Sequence, residues 1–411
     1  MKTNLILVDM ASAWSVNGVM RYLQELIDVM RADHTYQITW LRFVHQLSSG
    51  VIAEKRKGVQ HLTIPLPDDM QSFFKNIEKK QVLWQKALDY LFINLHQKGH
   101  VILHLHTLNL MDFALYAQKR IPCKIIMHIH CIPWKGLYNN HAEQFNLLFE
   151  KYYIKKDYSN PSDYIFREYE RNCYTQSDCI ICVTECARDF ILNTCPHNAS
   201  NIYVIPNGIK CIAPPKRYKN VSDSFQCLFV GNSTRSKGLE YILKALEIVN
   251  MQYDVCLTIV GNHSSGTQMC IHSQHPFLDI KFTGKVNFLE LKELYMQADI
   301  GIIGSLQEQC SYVAIEMLMF GLPIVTTDVD GLGEIFTNEK DALTVPVHYR
   351  PRNGLMVDYI SMAASIIKLI ESPKMRESLG RNARRTYREK YTAIRMGKLT
   401  KSIYNTMYNY V

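Results

Sequence analysis

The sequence contains no long hydrophobic run. None of its windows approaches the roughly 18 uncharged apolar residues that a spanning helix needs, so no transmembrane segment is expected. A leader-like start is missing too. The apolar stretch Leu5 to Val8 is closed at once by Asp9, which is too short for a signal peptide and suits a buried first strand. These two absences predict a cytoplasmic protein. A disulfide framework is also lacking. The 12 cysteines are scattered over the whole length, and Cys179, Cys182 and Cys256 sit in apolar runs where a thiol behaves as a small hydrophobe. Cys179, Cys182 and Cys186 could be offered as metal ligands, but no fourth ligand stands at a usual spacing. Charge of one sign does not dominate. A formal net charge of +8 suits an anionic partner such as a nucleotide diphosphate, a nucleic acid or an acidic lipid surface, without choosing among them.

The 47% hydrophobic and 20% charged residues instead describe a globular chain, and 411 residues fit two domains of about 200 better than one core. The start reads strand (LILVDM, 5 to 10), loop, helix. Val19, Tyr22, Leu23, Leu26, Ile27 and Met30 recur at the spacing of one buried helical face. Strands follow at 101–106, 124–130, 178–184 and 201–206, with helical patterns between most of them. A second series begins near residue 225 with FQCLFVG, a helix from about Leu239 to Asn250, then VCLTIVG, DIKFTG, DIGIIGS and PIVTTDV. Strands alternating with helices predict parallel sheets covered on both faces. Between the two series, Lys210 to Ser224 is polar and carries adjacent prolines, as an inter-domain linker would. The six basic residues from Arg376 to Lys390 suit a solvated helix face or a binding surface.

The stretch EQCSYVAIEMLMFGLPIVTTDVDGLGE, Glu308 to Glu334, has a local logic of its own. Ser311 is placed to cap a helix running to about Phe320, Gly321 to end it, and Pro323 to prevent its continuation. The first turn would offer unpaired N–H groups at a strand's carboxyl end, where open α/β sheets bind ligands and where a phosphate is favoured. Glu308 and Glu316 flank that position. They are either hydroxyl-binding carboxylates or an ordinary loop charge and a solvated helix residue.

This stretch resembles the E-x7-E signature of retaining glycosyltransferases of the GT-B fold, specifically glycosyltransferase family 4 (glycosyl transferases group 1). The resemblance extends in order along most of the chain: NGVMRYL (17–23), KIIMHIHCIP, CIICVTECARDF, IYVIPNGI, FVGNSTRSKGLEYILKAL and RNARRTYREKYT resemble further motifs of that family. It implies an α/β architecture of two Rossmann-like, doubly wound parallel-sheet domains facing across a cleft. The first would span 1–212, with a C-terminal helix of about 390–411 packing back on it, and the nucleotide-sugar domain would span 222–388.

The family's activity would be transfer of a sugar from a nucleoside-diphosphate sugar to an acceptor, with retention. Negative charge develops on the leaving phosphate, so a preorganised positive site supplies the main stabilisation. By the resemblance Lys237 binds phosphate. Arg235 replaces the charge missing where Asn232 stands. Glu316 holds ribose hydroxyls and Glu308 hydroxyls of the donor sugar. Backbone N–H groups of Ser311, Tyr312 and Val313 cradle the distal phosphate, and Gly18 lets the first loop approach the diphosphate. His130 contacts the donor sugar near the reacting carbon, although Cys131 follows it where the family carries Asp. The catalytic set implied is thus His130, Glu308 and Lys237. A front-face mechanism, with the leaving phosphate accepting the acceptor's proton, is the usual proposal for such enzymes. No Asp-x-Asp pair precedes an apolar strand as in metal-dependent transferases of the other major fold, so neither a metal nor any other cofactor is expected besides the donor.

Three other readings compete. A sugar phosphorylase would have a pyridoxal-anchoring lysine and a much longer chain. A metal-dependent hydrolase would use His104, His106, His128 and His130. A non-catalytic nucleotide-sugar-binding protein would have lost Glu308, Lys237 or His130, and all three are present. The acceptor could be a saccharide, as in cell-surface polysaccharide synthesis, a lipid-linked sugar or a peptide; nucleic acid is not expected. Two regions, 70–97 and 134–172, are rich in Tyr, Phe and Lys. They would form an acceptor wall, a peripheral membrane-surface patch, or amphipathic helices on their own core. Neither the donor's base and sugar nor the oligomeric state is written in any motif.

Overall fold

The computed structural model describes residues 2–12, 18–45, 50–93, 95, 99–132, 135, 142–157, 168–195, 201–212, 224–350 and 353–408. Asn17, Trp134 and most of the linker expected at Lys210 to Ser224 lie outside these residues. The chain forms two compact units. One comprises Met1–Ile132, Ser159–Gly208 and Ala393–Val411, the other Pro133–Tyr158 and Ile209–Thr392.

In the first unit the strands are β1 (Thr3–Ser12), β2 (Tyr36–His45), β3 (Ile52–Arg56), β4 (Val59–Pro65), β5 (His100–Leu105), β6 (Lys124–Ile129), β7 (Cys179–Cys182) and β8 (Ile202–Val204). They form one sheet in the order β3-β4-β2-β1-β5-β6-β7-β8. Pairing is parallel except at the edge, where β3 runs antiparallel to β4. That edge hairpin turns at Lys57 (φ 48°) and Gly58 (φ 85°), the left-handed pair that matches strand twist in a two-residue turn. Leu5, Ile6, Leu7 and Val8 are wholly buried on both faces, as a central parallel strand requires. The helix Gly18–Met30 buries Tyr22, Leu23, Leu26, Ile27 and Met30. The helix Ala393–Thr406 closes the same unit. Its Lys401 pairs with Asp33, the Tyr36 hydroxyl donates to Asn405 at 2.9 Å, and Tyr408 just beyond it donates to the Val101 carbonyl at 2.6 Å.

The second unit contains β9 (Phe225–Val230), β10 (Val255–Val260), β11 (Asp279–Gly284), β12 (Ile300–Ile303), β13 (Ile324–Thr327) and β14 (Leu343–Val345), and the hairpin β15 (Val347–Arg350) and β16 (Gly354–Val357). The six-stranded sheet has the order β11-β10-β9-β12-β13-β14 and is parallel throughout. In each unit helices alternate with the strands.

The sequence reading places 134–158 with the first domain, whereas the structure groups Pro133–Tyr158 with the second unit. The cause is aromatic packing. Phe145 and Phe149, from the helix Ala142–Phe149, lie against the second unit's core, and Phe149 meets the Tyr349 ring at 5.4 Å. On its far end the Tyr349 hydroxyl reaches the Asn146 carbonyl at 3.3 Å.

The contact between the helices Gly18–Met30 and Ala393–Thr406 depends on Gly397, where an added Cβ would stand 2.5 Å from Val29 Cγ1. Elsewhere in a helix Gly→Ala gains about 1 kcal/mol, but overpacking costs about 1–3 kcal/mol. Gly397→Ala is therefore expected to lower stability in urea melts, and adding Val29→Ala to restore it. A stabilised single variant would refute this contact.

Candidate functional site

In the second unit strand order reverses between β9 and β12, and the chain's chemistry-bearing residues gather at the carboxyl ends of those two strands. After β9 a short 3-10 turn, Arg235–Lys237, ends on Gly238 at φ 64°. A Cβ on Gly238 would stand 1.8 Å from the Gly304 carbonyl oxygen, so only glycine lets the loops after β9 and β12 touch. The Leu306 N–H donates to the Ser236 carbonyl at 2.8 Å and fixes this contact. Lys237 and Glu308 consequently meet as an Nζ–Oε2 ion pair, both side chains still partly exposed.

Glu308 is held by its backbone as well, its carbonyl accepting from Gly331 N–H at 3.0 Å. Ser311 caps the helix Tyr312–Phe320 by accepting from Ala314 N–H at 3.3 Å, and Gly321 ends it at φ 63°. Tyr312 and Val313 are its first two residues, so their N–H groups belong to the turn that has no intrahelical partner. Glu316 is buried on this helix, where the Tyr295 hydroxyl donates to its Oε2 at 2.7 Å. Arg235 is exposed and donates to the Asn353 carbonyl at 3.2 Å. Asn232 accepts from Asn262 N–H at 3.2 Å and ties two loops together. A pocket in this unit is lined by Phe145, Asn146, Arg235, Ser236, Leu306, Gln307 and Leu355, the sequence neighbours of Lys237 and Glu308 among them.

In the first unit the reversal falls between β1 and β5. Gly18, exposed, opens the helix that follows β1. His130 follows β6 directly and pairs through Nε2 with His106 Nδ1 at 2.9 Å. Arg235, Lys237, Glu308, Ser311, Tyr312, Val313 and Glu316 belong to the second unit, and Gly18 and His130 to the first.

Family comparison decides the affiliation. Residues 16–211 match the description "Glycosyltransferase Family 4", and residues 214–386 match "Glycosyl transferases group 1". The chain belongs to glycosyltransferase family 4. An uncharacterized glycosyltransferase of Methanocaldococcus jannaschii is 30% identical over 187 residues, 44% of this chain and 45% of that protein. The capsular polysaccharide biosynthesis glycosyltransferase CapM of Staphylococcus aureus is 25% identical over 198 residues, 46% of this chain and 48% of its own. This glycosyltransferase thus spans about half the length of the curated relatives it matches. Sucrose-phosphate synthase of Thermosynechococcus elongatus superposes with a TM-score of 0.74 over 100% of both chains at 17% identity. Anabaena HepE, in complex with UDP and glucose, superposes with a TM-score of 0.66 over 98% of this chain and 99% of that one at 14% identity. The fold is GT-B. Among the described residues no helix is long and apolar enough to cross a membrane.

Two further groups of buried polar side chains stand out, the first of them invisible as a motif. The first is Lys135, whose Nζ lies 2.6 Å from Asp330 Oδ1, with both side chains nearly buried. Burial alone would pull the Lys135 ammonium down, but Asp330 and Tyr153 more than reverse this and hold its pKa above the usual lysine value. Asp330 stands at φ 42°, one residue before the Gly331 N–H that holds Glu308. Sequence reasoning misses the pair because its members are 195 positions apart.

The second is a two-by-two group of histidines on β5 and β6 and just beyond them. His104 uses both ring nitrogens, Nδ1 with the Tyr404 hydroxyl at 2.7 Å and Nε2 with His128 Nδ1 at 3.2 Å. Donor atoms of His104, His106 and His128 lie within 4.8 Å of one another. As a metal ligand, however, His104 would have to surrender a bond it already makes, and the rings of His128 and His130 stack at 12° rather than converge. This geometry favours a hydrogen-bonded network over the hydrolase reading. Burial holds His104 and His130 down to about 3, with His130 adding to the effect on His104. It also pushes His106 and His128 well down.

Lys135→Met would strand Asp330, which costs about 3–5 kcal/mol for a buried pair. Lys135→Met with Asp330→Gly, which suits the positive φ, is expected to recover most of that in urea melts. Equal stability of single and double variants would count against the pair. The histidines give a pH signature. Their folded pKa values lie below the unfolded value, so between the two the unfolded chain binds more protons and stability falls as pH falls. From pH 6.5 to 4.5 the expected loss is about 2 kcal/mol for each histidine that stays neutral in the fold. Denaturant melts across that range check it, and a flat profile would mean the group is protonated when folded.

Proposed function

We propose that this glycosyltransferase moves a sugar from a nucleoside-diphosphate donor to a saccharide or glycolipid acceptor, with retention of anomeric configuration. One observation carries the proposal. Lys237, Glu308 and the first turn of the helix Tyr312–Phe320 follow the two strands where strand order reverses, which gives a cation, a hydroxyl acceptor and a helix N-terminus in one place. Lys237 and Arg235 then neutralise the diphosphate while charge develops on it, and the N–H groups at Ser311, Tyr312 and Val313 take the distal phosphate. Glu308 binds hydroxyls of the sugar and Glu316 those of the ribose. By the family resemblance His130 contacts the donor sugar near the reacting carbon, and Gly18 leaves room for the diphosphate.

Chemically, the bond between the anomeric carbon and the diphosphate oxygen breaks, and a bond from that carbon to the acceptor oxygen forms on the same face. The acceptor's proton passes to the leaving phosphate oxygen. Similarity to CapM supports a role in cell-surface polysaccharide synthesis. The UDP and glucose held by HepE make UDP-sugars the first donors to try.

The test is a thermal-shift and hydrolysis screen across UDP-, GDP- and ADP-glucose and their N-acetylated and galacto counterparts. One donor is expected to raise the melting temperature, with the shift lost in Glu316→Ala and Lys237→Ala, and Lys237→Ala is expected to cut turnover by about 10²–10³. No shift with any nucleotide sugar would overturn the donor assignment, and an inverted product would overturn retention.

A further inference from the structure

Among the described residues two ring nitrogens in the histidine group have no hydrogen-bond partner, Nε2 of His106 and Nε2 of His128, and both are buried. A neutral imidazole carries one proton, so each of these atoms is either a bare lone pair or a stranded N–H. Folded proteins tolerate an under-used acceptor more readily than an orphaned buried donor. Placing lone pairs on both atoms fixes every other proton in the group. His128 then donates from Nδ1 to His104 Nε2, and His104 donates from Nδ1 to the Tyr404 hydroxyl. In the same way His106 donates from Nδ1 to His130 Nε2.

From this geometry we infer that His106 is a positioning residue that locks His130 into the tautomer protonated at Nδ1. With Nε2 occupied as an acceptor, the nitrogen that His130 has left is an N–H donor. It can bond an oxygen of the substrate but cannot accept a proton from one. Burial, which keeps the His130 ring neutral, supports this assignment. The neighbouring rings hold the ring plane: His128 stacks on His130 with centroids 4.3 Å apart, and Tyr22 meets it edge-on at 5.1 Å. The consequence rests on the proposed function. A His130 that only donates leaves the departing phosphate as the group that takes the acceptor's proton.

The experiment is long-range proton–nitrogen correlation NMR on protein labelled with ¹⁵N-histidine, with the His130 signals identified by their loss in His130→Gln. In the wild type His130 is expected as the Nδ1–H form by on the order of ten to one, the ratio one buried hydrogen bond sustains. His106→Leu removes the donor and is expected to return His130 to the Nε2–H form that histidine prefers in water. His106→Asn sets an amide N–H where the Nδ1–H stood and is expected to keep the Nδ1–H form, which a merely space-filling His106 would not do. A wild-type His130 protonated at Nε2 overturns the inference, and so does an unchanged tautomer in His106→Leu. Should that variant not fold, the wild-type spectrum decides alone. The measurement needs no nucleotide sugar, so a failed donor screen and a failed tautomer lock are separate results.

Discussion

Backbone touches backbone where the loops after β9 and β12 meet, at Gly238 and Gly304, and the second unit's chemistry depends on that contact. A side chain at Gly238 would occupy the space of the Gly304 carbonyl oxygen. Because no side chain intervenes, the two strand ends deliver Lys237 and Glu308 to one another, and Leu306 can bond back to Ser236. A second close approach, Gly261 against the Gly231 carbonyl, does the same for the loops after β9 and β10. A parallel sheet aims all its carboxyl ends at one edge. What this chain adds is glycine at the points where neighbouring ends would otherwise be propped apart.

Local signals made much of this legible in the sequence. The helix Tyr312–Phe320 is announced by Ser311, Gly321 and Pro323, three residues whose backbone preferences act without reference to the rest of the fold. The helix Leu239–Asn250 was readable from its own pattern as well. The unread elements were those without such punctuation. β2 is buried along most of its length and shows no alternation, so its periodicity is silent. β3 and β4 form an edge hairpin marked only by Lys57 and Gly58. Among the site residues, Lys237, Glu308 and Glu316 stand in local motifs. Lys135 means nothing until Asp330 is beside it.

The two buried polar groups show contrasting ways of keeping charge inside a protein. Lys135 and Asp330 face each other as an ion pair with both side chains nearly buried, which makes the pair costly to break. The histidines stay neutral and share hydrogen bonds instead, at the expense of two unpartnered nitrogens. One arrangement is sensitive to the loss of a partner and the other to a fall in pH.

The segment Pro133–Tyr158 has a consequence for how the molecule is made. The chain passes from one unit to the other after residues 132, 158, 208 and 392, so neither unit is continuous. The first opens with β1 yet needs the helix Ala393–Thr406, whose Tyr404 completes the bonds of His104. On the ribosome it must therefore wait, with its sheet partly uncovered, until that helix has emerged. The second unit, which begins later, has its full complement of chain by Thr392 and is the first that can close.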